Sequence, residues 1–340
     1  MLYLNFSNAD LDANTIVPAN NFEKSVKDFL IEWFSDSEVM IAHTSGSTGT
    51  PKEIILTKEN MRKSANMTAK YLHLQRGNSA LLAMPVNYIA GKLMLVRAIE
   101  IGLKLICIQP ISHISLDEIN QSIKEELQSI DFVALTPMQV EKSIDFVAKC
   151  NKLIIGGAPL SDKVKQDLFD FENEVYETYA MTETITHIAF KQVKNKKFLT
   201  VENIFEAFDE VKISQDERGC LVIDTPYDNL QVVTNDIVEL VSKRKFNWIG
   251  RVDNVINSGG IKLFPEQIEA KLKTFINSEF YITSKKDELL GQKLILVVEG
   301  EERSLDFSLT DLTKYQVPKE IIFMAEFSRT ESGKIKRDKF

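Results

Sequence analysis

Short apolar runs bounded by turn residues alternate with stretches of helical period over most of the chain, and this alternation predicts an α/β fold. VMIAH (39–43) reads as a buried strand. ALLAMP (80–85), KLICIQP (104–110), IDFVALTP (130–137) and KLIIGGAP (152–159) repeat the theme of strand followed by turn residues. Between them, Thr57 is placed to cap a helix running through Leu74, with Met61, Ala65, Thr68 and Leu72 near one face. IAGKLMLVRAIEIG (89–102) reads as a mostly apolar helix closed by Gly102, and Ser161 as the cap of another. Beyond about residue 195 the strands shorten, with turn signals at 217–219 and 226–229. From Gly250 the texture shifts again. WIGRVDNVINSGG, a strand or loop, leads into PEQIEAKL, a helix start with Pro265 near its first turn. Strands at 280–283 and 293–298 and a helix near 306–314 complete the pattern. The expectation is a large N-terminal α/β domain over 1–251 and a small α+β C-terminal domain over 252–340.

Composition narrows the class. The chain has 340 residues, 44% of them hydrophobic, enough to bury a real core. Its 41 basic and 49 acidic side chains give a net charge of −8, which argues against non-specific binding to nucleic acid or anionic membranes. Cys107, Cys150 and Cys220 lie far apart, so neither a zinc spacing nor a disulfide framework is expected. No apolar stretch is long enough to span a bilayer, and MLYLNFSNADLD has no basic segment of the kind that opens a secretory leader. A cytoplasmic, reduced protein is the expectation.

Candidate chemistry begins at HTSGSTGTPKEI (43–54), where hydroxyls and glycines precede Lys52. Backbone N–H groups in a Gly-rich turn, with hydroxyls alongside and a cation at the end, suit a phosphate. The common phosphate loop G-x-x-x-x-G-K-[ST] does not fit: counted from Gly46 it meets Pro51 where Gly is needed, and Glu53 follows Lys52.

Four further stretches follow in order: YAMTE (179–183), TND (234–236), GRVDNVINSGG (250–260) and RTESGKIKR (329–337). With the opening loop they closely resemble the signatures of the adenylate-forming acyl-CoA ligase superfamily, and the resemblance runs from residue 43 to residue 337. Such enzymes make an acyl-adenylate from a carboxylic acid and ATP, then pass the acyl group to a thiol. The resemblance implies that Thr44, Ser45, Gly46, Ser47, Thr48, Gly49 and Lys52 cover the β- and γ-phosphates of ATP. Tyr179 would lie against adenine, Thr182 near the α-phosphate, and Glu183 on Mg²⁺, an ion that suits one carboxylate and several phosphate oxygens. Gly156, Gly157 and Ala158 would edge the adenine and acyl pockets. Asp236 would bind ribose, with Arg251 opposite, and Asp253 would be the hinge about which the small domain moves. Gly259 and Gly260 would line the pantetheine passage of CoA, although a plain turn explains a glycine pair equally well. Lys334 would bridge carboxylate and α-phosphate. The chain departs from the pattern at Ala180, Asn235 and Asn257. Only 42 residues precede His43, which implies a reduced N-terminal region.

The stretches NSGGIKLFPEQIE and AMPVNYIAGKLMLVRA most resemble the branch that ligates o-succinylbenzoate to CoA for menaquinone synthesis. That substrate carries two carboxylates, one activated and one spectator. Lys92 and Arg97 are the only charges from Ala80 to Ile99, so they are the candidates to meet the spectator, with Lys92 ranked first. Tyr88 and His187 complete the acyl-pocket candidates. Three alternatives stay open: a ligase for another acid, an adenylating enzyme that loads a carrier protein, and a non-catalytic nucleotide-binding relic.

Overall fold

Four of the apolar runs, joined by the strand Glu174–Ala180, become neighbouring parallel strands in the computed structural model, which describes residues 1–8, 11–43, 53–123, 127–193, 196–198, 204–329, 335–338 and 340. The chain divides into two units, the first built on Met1–Thr44, Pro51–Lys212 and Asp224–Val232. In chain order this unit carries β1 (Leu2–Asn5), α1 (Asn21–Trp33), β2 (Val39–His43), β3 (Glu53–Thr57), α2 (Lys58–Leu72), β4 (Ser79–Leu82), α3 (Ile89–Ile101), β5 (Lys104–Cys107), α4 (Leu116–Ile123), β6 (Ile130–Leu135), α5 (Pro137–Lys142), α6 (Ile144–Val147), β7 (Cys150–Ile155), α7 (Asp162–Asp167), β8 (Glu174–Ala180), β9 (His187–Gln192) and β10 (Phe205–Ala207). Its sheet order is β1-β5-β4-β6-β7-β8-β9-β10. Strands β5 through β8 run parallel, while β1, β9 and β10 are antiparallel to their neighbours. The chain leaves β4 toward β5 on one side and returns to β6 on the other. Such a reversal opens a crevice beyond the carboxyl ends of the strands, where ligands of open α/β sheets bind.

Local signals explain the helices around this sheet. Thr57 Oγ1 accepts from the Asn60 N–H at 3.2 Å, and α2 ends where His73 turns left-handed. Met61, Ala65, Thr68 and Leu72 are all buried, as their spacing implies. Gly102 closes α3 at φ 77°, a conformation glycine adopts without strain. Ser161 caps α7, accepting from the Val164 N–H at 3.2 Å. The core joins Leu81, Ile106, Val133, Leu153 and Val175 of the parallel strands to Ile119, Val140 and Val164 of the helices.

The second unit, around Ile213–Ile223 and Val233–Phe340, is described by itself. It carries β11 (Lys212–Gln215), β12 (Cys220–Asp224), β13 (Gln231–Leu240), β14 (Lys245–Arg251), β15 (Ile256–Ser258), β16 (Ile261–Leu263), α8 (Pro265–Leu272), β17 (Phe280–Asp287), β18 (Gly291–Glu299) and β19 (Glu320–Met324). Strands β14, β13, β12 and β11 are neighbours in that order, and a separate sheet runs β16-β15-β18-β17, with β19 parallel to β18. A hydrophobic cluster from Ile256 to Val298, centred on Ile268, Leu272, Leu294 and Leu296, lies wholly inside 252–340.

Two element expectations need correction. β2 is half-buried rather than buried: Val39 and Ile41 are 41% and 47% exposed, while the alternating Met40 and Ala42 are covered. Among the described residues the strand pairs with β3 alone, in a two-stranded ribbon, and its alternation leaves one face exposed. The stretch 306–314 forms turns, not a helix. Asp306 accepts from both the N–H and the hydroxyl of Ser308, at 2.8 Å each, and Thr310 donates to the Phe307 carbonyl at 2.6 Å. Such local side-chain bonds compete with helical ones.

Candidate active site

Sheet topology brings several sequence candidates of the first unit to one end of the parallel strands. The Pro85–Tyr88 turn follows β4, Gly156–Ala158 follow β7, and Thr182 and Glu183 follow β8. Gly156 has no room for a side chain, since a Cβ there would stand 2.8 Å from Thr178 Oγ1. Gly157 takes φ +95°, which exposes the strand-end backbone without strain. Tyr179 is buried near the end of β8, edge-on to Phe205 with ring centroids 5.8 Å apart. Glu183 is exposed and has no ion pair among the described residues, so its carboxylate is available. A single accessible carboxylate fits the donor set that Mg²⁺ takes beside phosphate oxygens. Among the described residues there is no cluster of three or more His, Cys, Asp or Glu that could hold a metal by itself.

Tyr88 is half exposed at the N-terminal end of α3, and its side chain makes no capping bond. One turn on, Gly91 lies directly against the turn: a Cβ would come 2.3 Å from the Pro85 carbonyl oxygen. Lys92 and Arg97 then separate, as their spacing requires. Lys92 is only partly buried, its Nζ 5.5 Å from the centre of the Phe29 ring on α1. Burial lowers its pKa, and Glu32 partly opposes the shift. Arg97 is 2% exposed. Burial draws its guanidinium down to about 10, so it stays charged at neutral pH. The two cations thus have different surroundings: α1 supplies Lys92 with an aromatic face and a nearby acid, while Arg97 takes the interior.

No carboxylate pairs with Arg97 among the described residues. Its Nε–H points to Thr68 Oγ1 at 3.3 Å, and Nη2 to Thr186 Oγ1 at 3.4 Å and His187 Nε2 at 3.5 Å. Nη1 has no acceptor among the described residues. His187 is 4% exposed, and its Nε2 lies 2.8 Å from the Thr68 hydroxyl. Burial first, then the Arg97 charge, hold its pKa well below the usual histidine value. Ser64 and Tyr227 add two buried hydroxyls that interact with each other but complete no well-formed hydrogen bond. Sequence reading missed Ser64, Thr68, Thr186 and Tyr227 as a polar group. A signal was present in α2, where Ser64 and Thr68 stand one turn apart on a face otherwise buried as core.

In the second unit, Asp236 is buried on β13 and Arg251 pairs across from it on β14. Arg251 Nη1 is 3.5 Å from Asp236 Oδ1, and its Nη2 donates to Asp253 Oδ2 at 3.0 Å. Asn235, where the family pattern has Gly, ties into this network. Its amide donates to Asp253 Oδ2 at 3.1 Å, and its carbonyl accepts from Arg218 at 2.9 Å. Gly259 and Gly260 link β15 to β16 with φ +57° and +81°, the positive pair that a two-residue hairpin turn requires. Thr44, Ser45, Gly46, Ser47, Thr48, Gly49, Lys52 and Lys334 lie outside the described residues.

A family model described as AMP-binding enzyme matches residues 10–225, well over half of the chain. The chain belongs to the AMP-binding enzyme family. It is an AMP-forming, adenylate-forming acyl-CoA ligase in fold and class. A 2-succinylbenzoate–CoA ligase of Listeria monocytogenes is 25% identical over 340 residues, covering 92% of this chain and 71% of that protein. Among solved structures, an acyl-CoA synthetase (AMP-forming)/AMP-acid ligase II-like protein of Dyadobacter fermentans is 33% identical with a TM-score of 0.64. That match covers 96% of this chain and 95% of the other. The O-succinylbenzoate coenzyme A synthetase of Bacillus subtilis, solved with ATP and magnesium ion, is 19% identical with a TM-score of 0.72. It is matched over 87% of this chain and 68% of its own. The expected α/β class with an adenylate-forming architecture is thus observed. No helix among the described residues is long and apolar enough to cross a membrane.

Proposed function

We propose that this AMP-forming ligase activates o-succinylbenzoate with ATP and transfers it to CoA, giving o-succinylbenzoyl-CoA, AMP and pyrophosphate, a step of menaquinone synthesis. The observation that carries the acid assignment is Arg97, a charged guanidinium held in the interior with no carboxylate partner among the described residues. A buried, unpaired cation is costly, and a ligand carboxylate that meets it offsets the cost with a charge-assisted hydrogen bond. A diacid supplies such a carboxylate while its other carboxylate reacts. The named relatives point the same way.

In this reading each residue has a physical task. Tyr179 packs against adenine, and Asp236 with Arg251 binds the ribose. The loop from Thr44 to Lys52 holds the β- and γ-phosphates, and Gly156–Ala158 shape the wall between adenine and acid. Glu183 would hold Mg²⁺, which when bound would supply charge neutralisation on the phosphates. Thr182 donates toward the α-phosphate, and Lys334 stabilises the charge that develops as carboxylate and phosphate join. CoA enters by way of Gly259 and Gly260 after the small domain, 252–340, turns about Asp253. The internal hydrophobic core of that segment supports its motion as a body.

Pyrophosphate exchange across o-succinylbenzoate, 4-oxo-4-phenylbutanoate (the same acid without its ring carboxylate), benzoates and fatty acids tests the acid. Preferred exchange with o-succinylbenzoate is expected. Better activation of a simple benzoate or a fatty acid overturns the assignment. A following thiol assay should show transfer to CoA rather than to a carrier protein.

A further inference from the structure

We propose that His187 and Thr68 are positioning residues for acid selectivity, gripping the Nε and Nη2 edge of the Arg97 guanidinium so that its Nη1 end faces the spectator carboxylate. The inference rests on the diacid reading above. An arginine side chain turns about several torsions, so a guanidinium that must meet a ligand in one orientation needs fixed acceptors on its other edge. Thr68 Oγ1 lies 3.3 Å from Nε, and His187 Nε2 lies 3.5 Å from Nη2. The two acceptors are joined to each other at 2.8 Å.

The proton assignment follows from the donors. Arginine can only donate, so Thr68 Oγ1 accepts from Nε, and its one proton has two acceptors in reach, the Ser64 carbonyl at 3.1 Å and His187 Nε2 at 2.8 Å. Arg97 Nη2, a donor 3.5 Å from Nε2, requires that nitrogen to be bare if it is to accept, which assigns the ring proton to Nδ1, facing Thr186 Oγ1 at 3.5 Å. The ring is held in place by Phe190 and Phe208, with centroids 4.7 and 5.8 Å away. Its neutrality matters. A carboxylate in this position would grip the guanidinium as firmly but cancel its charge, and would compete with the ligand. Neutral acceptors fix the orientation and leave the positive charge for the anion, and a buried imidazole beside a cation stays neutral.

The test measures KM for o-succinylbenzoate and for 4-oxo-4-phenylbutanoate in wild type, His187→Phe, His187→Gln, Thr68→Val and Arg97→Met. Loss of a hydrogen bond to a charged group should raise the diacid KM of His187→Phe about tenfold or more, and move the monoacid KM less than about twofold. His187→Gln, which keeps a neutral acceptor, should recover most of that loss. Thr68→Val, nearly the same shape, should follow His187→Phe, and it reads the same contact if the phenylalanine variant does not fold. In an Arg97→Met background, His187→Phe should add nothing further. Equal changes for both acids, or a full second penalty in the double variant, overturn the proposal. If wild type does not favour the diacid, or Arg97→Met leaves that preference intact, the diacid reading itself fails. If Arg97→Met abolishes the preference while His187→Phe and Thr68→Val leave it, only the positioning role falls.

Discussion

Lys92 and Arg97 belong to one helix and carry the same charge, yet their surroundings assign them different work. Lys92 stands beside an aromatic ring and the acid Glu32, with part of its surface in water. Lys92→Ala should therefore cost only about 0.5–1 kcal/mol of stability, the usual worth of an exposed cation–π contact. The KM for o-succinylbenzoate should stay near its wild-type value. Arg97→Met, which removes one partner of a buried ion contact worth about 3–5 kcal/mol, should raise that KM on the order of 10²–10³-fold while the KM for ATP changes little. Steady-state kinetics and a thermal melt on both variants check this. A silent Arg97→Met beside a crippled Lys92→Ala would place Lys92 first, as the sequence reading ranks it. The sequence identified both residues as candidates because charges in an apolar helix stand out. It could not order them, since the order depends on what α1 and α2 place beside each.

At the scale of elements, the legible features were those written in local chemistry. The caps at Thr57 and Ser161, the stop at Gly102 and the Pro265 helix start all appear where short-range signals put them. The exposed face of β2 and the turns at 306–314 were not legible, because each depends on neighbours distant in sequence or on competing side-chain bonds. Gly91 shows how a packing constraint hides inside a helical pattern. Ala in a helix interior is favoured over Gly by up to about 1 kcal/mol, so propensity alone predicts that Gly91→Ala stabilises. The Pro85 carbonyl, 2.3 Å from the new Cβ, is backbone and cannot rotate away. Overpacking of this kind costs about 1–3 kcal/mol, so the net effect should be destabilising, with a lowered denaturation midpoint. A raised KM for the acid should accompany it, because the Pro85–Tyr88 turn must shift. A more stable variant with unchanged kinetics would contradict the close contact.

For the whole molecule, two hydrophobic clusters among the described residues imply two cooperative bodies. One is centred on the parallel strands around Leu153 and Val133, the other on Leu272 and Leu296. Leu153→Ala and Leu296→Ala each remove a fully buried side chain, at a typical cost of about 2–5 kcal/mol. Denaturant unfolding followed by hydrogen exchange should resolve two transitions, with each substitution lowering chiefly its own. Equal shifts of a single transition would show one cooperative unit instead. The sequence by itself determined the α/β class, most element positions, the order of the family motifs and the candidate residues for nucleotide and acid. These follow from periodicity, capping and motif chemistry, which act over a few residues. Tertiary structure alone decided that β4 borders both β5 and β6, that one cation of α3 is interior, and that Thr68, Thr186 and His187 meet it. Those facts depend on which distant segments the sheet brings together, and the burial that results sets the cost of a charge and the availability of its donors.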